Sequence, residues 1–139
     1  MNTPSSLPKT ERLHSLTALR RLFAEGTSGF VYPFRYMTFT ESCDQPSVEV
    51  VFSVPKRYHK RAVRRNLLRR RTKEAYRRNL LRRRTKEAYR LSKQVVVEHA
   101  KKEDIAIDIA LIYSSKEPLP YKTIANAVRK ILAQIVEGR

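Results

Sequence analysis

The sequence predicts an α+β fold: a two-layer sandwich in which a small sheet is packed by helices, in the order α-β-β-α-β-α. Three observations carry that prediction. Two segments alternate apolar and polar residues with the period of a strand, 31–40 and 48–54, and a third, 104–113, is apolar at every second position. Two segments, 15–25 and 121–136, repeat apolar residues with the period of a helix. Between them runs a stretch from about Ala62 towards Ala100 that is rich in Arg, Leu, Lys and Glu and free of Gly and Pro.

Residues 1–9 are polar with two prolines and read as a flexible N-terminal tail; residues 10–139 read as a single domain. Ser15 is placed to cap a helix through about Glu25 that buries Leu16, Leu19, Leu22 and Phe23, and Gly26 is placed to end it. In the first strand Tyr32, Phe34, Tyr36 and Thr38 share one face, and Val31, Arg35, Met37 and Phe39 the other. Glu41 to Ser47 is a turn, marked by Asp44 and Pro46. The second strand alternates Val48, Val50, Phe52 and Val54 with Glu49, Val51 and Ser53, and Pro55 ends it. Lys56 to Arg61 is a basic connector into the long helix. The third strand is apolar at Ile105, Ile107, Ile109, Leu111 and Tyr113, and the last helix buries Ile124, Val128, Ile131, Leu132 and Ile135.

The chain of 139 residues carries a formal charge of +17, and the distribution of that charge is the informative part. From Lys56 to Lys93 there are 18 basic and 2 acidic residues, a net of +16, which leaves the rest of the chain at +1. A solubilising surface mixes both signs. One concentrated block is the footprint of an element that binds phosphates. Three classes fall away. The single cysteine, Cys43, excludes a disulfide scaffold. His14, His59 and His99 are scattered without metal-ligand spacing, and three glycines cannot build a phosphate-cradling loop, so protein side chains alone are expected to hold no cofactor. No apolar stretch is long enough to span a bilayer and the first twenty residues lack a signal-peptide core, so a cytoplasmic chain without a membrane partner is expected.

The basic block contains a tandem duplication. RRNLLRRRTKEAY at 64–76 is repeated without a difference at 77–89. In the first copy Arg65, Arg69, Lys73 and Arg77 recur every four residues as a cationic stripe, beside a mainly apolar stripe of Leu68, Thr72, Ala75 and Tyr76. Thirteen residues turn a helix by about 220°, so the second apolar stripe (Leu81, Thr85, Ala88, Tyr89) faces away from the first. One copy therefore packs on the sheet. The other extends the helix beyond the body, bends away at a break, or self-associates with a second chain; an extended helix with an exposed apolar patch is expected.

The run FSVPKRYHKRAVRRNLLRRRTKEAYR, Phe52 to Arg77, resembles the signature of the bacterial ribonuclease P protein component, with matches at Lys56, Arg57, Ala62, Arg65, Asn66, Arg69, Arg70, Lys73, Glu74 and Arg77. Leu67 departs from the Arg-Asn-Arg triplet, and Leu19 and Met37 stand where the family has aromatics, with Tyr36 beside Met37. The second copy matches as well as the first at Arg78, Asn79, Arg82, Arg83, Lys86 and Arg90. The first copy is expected in the family position, because Lys56 to Val63 leads into it with the family's spacing.

The resemblance implies a subunit of a ribonucleoprotein that cleaves the 5′ leader from precursor tRNA, with Mg²⁺ held mainly by a catalytic RNA subunit and no catalytic protein side chain. It implies contacts to the RNA subunit by Arg61, Arg64, Arg65, Asn66, Arg69, Arg70, Lys73, Arg77, Arg78, Asn79, Arg82 and Arg83. It implies a leader-binding cleft between the sheet and the first helix, with Phe23, Phe34 and Tyr36 for stacking and Lys56 and Arg57 for phosphates. The alternative is a structural RNA-binding protein such as a small ribosomal protein.

Overall fold

The computed structural model describes residues 7–56 and 64–138, without the side chains of 64–68 and 70. Arg57 and Arg61, and the side chains of Arg64, Arg65, Asn66 and Arg70, therefore lie outside the described residues. After a 3-10 turn at Lys9–Glu11 come α1 (Leu16–Glu25), β1 (Thr27–Val31), β2 (Phe34–Ser42), β3 (Ser47–Ser53), α2 (Arg64–Ser92), α3 (Gln94–Glu103), β4 (Ile105–Tyr113) and α4 (Tyr121–Val136). The fold is the expected α+β sandwich, with one strand and one helix more than the sequence pattern marked.

Helix α1 begins as its sequence requires, with the Ser15 hydroxyl accepting from the Ala18 amide. It ends at Gly26, where a Cβ would collide with the Leu22 carbonyl and lie 2.8 Å from the Thr38 carbonyl oxygen. The expected first strand is two strands. Pro33 has no amide to give a ladder, so the chain turns at Tyr32-Pro33, a cis bond, into a hairpin that pairs Thr27 with Thr38 through Val31 with Phe34.

The sheet order is β1-β2-β4-β3, antiparallel except for the parallel pair β3 and β4. A parallel pair needs a long crossover, and α2 with α3 supplies it. That crossover was expected as one helix and is divided at Lys93. The Lys93 ammonium is buried and donates to both Glu11 carboxylate oxygens, at 2.9 and 3.0 Å. The division lets Val96 and Ala100 of α3 enter the core. The chain also joins the body earlier than expected: Leu7, assigned to the tail, packs against the core.

The two faces of the sheet carry unequal layers. Phe34, Tyr36, Val48, Val50, Ile107, Ile109, Leu111 and Tyr113 face α2, α3 and α4 and form the larger core. The other face carries α1, with Leu13, Leu22 and Ala110 buried and Met37, Phe39 and Val51 packed around them.

Candidate nucleic-acid interface

Helix α2 spans 29 residues, about 43 Å at the usual rise, and contains both copies of the repeat. The second copy is the docked one. Leu81, Thr85, Ala88 and Tyr89 are all buried, and the Tyr89 ring meets Phe52 edge-on at 5.8 Å. In the first copy Thr72, Ala75 and Tyr76 are exposed. This corrects the expectation that the first copy takes the docked position. The reason lies downstream. Lys93, Val96 and Ala100 tie the chain that follows the second copy to the body, and a docked first copy would leave thirteen surplus residues before them. The expected rotation between the copies is what turns Tyr76 outwards.

Docking sorts the cations of the second copy by role. The Arg84 guanidinium donates to the Leu119 carbonyl at 2.6 Å and so fastens the loop before α4. Arg78 Nε donates to the Val54 carbonyl at 2.9 Å, and Arg77 donates to the Pro55 carbonyl at 3.3 Å and to Glu74 at 2.8 Å. These two expected RNA contacts tie the helix to the end of β3. Asn79, Arg82, Arg83 and Lys86 line an open hollow with Tyr76. Arg83 and Lys86 also line its neighbour, with Leu7, Arg12, Glu87 and Arg90. The two hollows make one cationic surface along the outer side of the docked copy. Of its members, Lys86 and Arg90 match the repeat signature but were not among the expected contacts. Arg12 was not among the expected contacts either: it is near in space and far in sequence.

The expected stacking residues divide between the faces. Phe34 is wholly buried, edge-on to Tyr113 at 5.7 Å. Tyr36 is buried and its hydroxyl donates to Gln134 Oε1 at 2.6 Å; burial raises its pKa. Neither ring is available to a base. The period-2 pattern separated this face from that of Arg35, Met37 and Phe39, but it did not show which face the thicker helical layer covers.

On the opposite face Arg21 stacks over Phe39 at 4.5 Å and reaches Glu41 at 3.3 Å and Asp108 at 3.5 Å. Burial raises the Asp108 pKa, against the pull of Arg21. Phe23, two residues beyond Arg21, lies on the other flank of α1 and is half exposed. Pairing places Phe30, Arg35, Ile112 and Ser53 in one row across the sheet. Phe30, Arg35 and Ser53 are exposed, as is Lys56 just past β3. Phe30 was not singled out from the sequence, because the strand that holds it was missed.

Among the described residues no three His, Cys, Asp or Glu side chains gather as metal ligands, and no helix is long and apolar enough to cross a membrane.

The family model for Ribonuclease P matches residues 7–80, which takes in the whole first copy. The ribonuclease P protein component of Porphyromonas gingivalis is 29% identical over 138 residues, covering 97% of this chain and 91% of that protein. The ribonuclease P protein of Staphylococcus aureus superposes with a TM-score of 0.62 at 18% identity, over 91% of this chain and 96% of that one. That of Thermotoga maritima gives 0.55 at 20% identity, over 89% and 96%. With more than half of its length matched by the family model and its fold shared with these proteins, the chain belongs to the ribonuclease P protein family, as a component of the tRNA-processing holoenzyme.

Proposed function

We propose that the chain binds the catalytic RNA subunit through the outer side of the docked second copy and holds the single-stranded 5′ leader of precursor tRNA across the open end of the sheet, and so promotes Mg²⁺-dependent 5′ maturation of tRNA in the cytoplasm. The observation that carries this reading is the continuous surface of Asn79, Arg82, Arg83, Lys86, Arg90 and Arg12. Guanidinium groups suit phosphate because their planar fork gives two parallel hydrogen bonds. Asn79 adds an amide that both donates and accepts, which suits a base edge or a ribose hydroxyl.

For the leader, the exposed Phe30 stands in one row with Arg35, Ile112 and Ser53, with Lys56 just past β3, and the half-exposed Phe23 is carried by α1, which covers the same face of the sheet. Aromatic faces with cations beside them are what a single strand needs. Phe23 is kept from the expected set, and Phe30 replaces Phe34 and Tyr36.

In this reading Mg²⁺ is held mainly by the RNA subunit. The protein's part is electrostatic: its positive surface offsets phosphate repulsion where RNA and substrate meet. The test is reconstitution with a bacterial ribonuclease P RNA. The chain should lower the Mg²⁺ concentration needed for leader cleavage, and the triple variant Arg82→Gln, Arg83→Gln, Lys86→Gln should do so less well. A chain without effect on that requirement would refute the reading.

A further inference from the structure

We propose that the projecting first copy adds a second phosphate contact, centred on the notch of Lys56, Arg71 and Arg78, to the one made by the docked copy. This rests on the RNA-binding reading above and adds a second contact to it.

The two copies carry the same side chains, but the first is displaced by about 20 Å along the axis and turned by about 140° relative to the second. Arg69 and Lys73 lie towards Tyr76 and the docked copy's Arg83, whereas Arg71 lies with Arg78 on another side of the helix. In the first copy Arg69, Arg71 and Lys73 are exposed, and Tyr76 stands out beside them at 65% exposure. Where the projecting part joins the body, Lys56, Arg71 and Arg78 line a notch with Glu74 and Ala75. Cations from β3's end and from both copies thus converge on one point. Arg84, the second-copy counterpart of Arg71, is turned instead to the Leu119 carbonyl. The notch exists because the segment is duplicated.

Charge selects the occupant. The first copy holds six basic residues and one acidic, a net of +5, within thirteen residues. A second chain docking there would bring the same charge against it. An RNA backbone complements the charge, and an exposed tyrosine gives an unpaired base a ring to stack on.

The experiment measures binding of the full chain to a transcript of bacterial ribonuclease P RNA over a range of monovalent salt. The variant Arg69→Gln, Arg71→Gln, Lys73→Gln should bind at least tenfold more weakly near physiological salt. Its plot of log affinity against log salt should be shallower by about two to three, near one for each phosphate that is no longer neutralised. The copies are identical, so deleting either gives the same chain of 126 residues. That one-copy chain should share the shallower slope. A parental slope in the triple variant or in the one-copy chain would overturn the proposal. So would a dimer in solution that the triple substitution strengthens, since a second chain would then occupy the face. The substitutions Arg82→Gln, Arg83→Gln and Lys86→Gln separate the two failures. If they lower the slope and the first-copy set does not, only the second contact is lost. If neither set changes it, the RNA-binding reading fails too.

Discussion

Tyr76 and Tyr89 hold the same place in two identical segments of one helix, yet Tyr89 is wholly buried against Phe52 and Tyr76 is 65% exposed. Local sequence cannot cause that difference. Rotation along the helix causes the two environments to differ, and the attachments after Ser92 decide which copy takes which. The burial of Tyr89 raises its pKa, with the charge of Glu11 adding to the effect.

The same contrast divides Arg84 from Arg71. Arg84 donates to the Leu119 carbonyl, so Arg84→Gln should destabilise the fold by about 1.5–3 kcal/mol, the range for a hydrogen bond to a charged group. Arg71 lines the open notch, so Arg71→Gln should stay within about 0.5 kcal/mol. Denaturant unfolding of the two variants measures both.

The aromatics of the N-terminal half should separate in the same manner. Phe34→Ala removes a fully buried ring and should cost about 3–5 kcal/mol of stability. Phe23→Ala should leave most of the stability in place and weaken binding of a single-stranded leader by about 1–3 kcal/mol, the range for a stacked base. Unfolding curves and leader titrations with the reconstituted holoenzyme check the pair.

Much of this arrangement was legible in the residues. The helix cap at Ser15, the stop at Gly26, the strand around Ile105 to Tyr113 and the amphipathic last helix each carried a local signal that the structure repeats. The opposed faces of the repeat followed from helix geometry alone. The copy that docks did not, because identical segments hold no information about which is chosen; the choice rests on Lys93, Val96 and Ala100. The division at Lys93 was hidden for a related reason: no Gly or Pro marks it, and a buried ion pair to Glu11, 82 positions away, holds it. The hairpin was hidden by the alternation on either side of Pro33, which reads as one continuous strand. Phe34 and Tyr36 were assigned to the wrong environment because alternation separates two faces without saying which is covered.

Asp108 gives a pH test. Burial raises its folded-state pKa above the ordinary carboxylate value, outweighing Arg21. Ionised Asp108 therefore opposes folding, and the cost is present at neutral pH and relieved as pH falls through the raised value. Asp108→Asn should be at least as stable as the parent at pH 7, and its advantage should shrink as the pH is lowered through that range. Thermal unfolding against pH measures the gap; an advantage that grows on acidification would reverse the sign.

The docking of the second copy is tested most directly by truncating each repeat tyrosine in turn. Tyr89→Ala removes a ring from the core and should lower stability by about 3 kcal/mol or more in denaturant unfolding. Tyr76→Ala removes an exposed ring and should change stability by no more than about 0.5 kcal/mol. Equal losses, or a larger loss from Tyr76→Ala, would contradict the docking of the second copy.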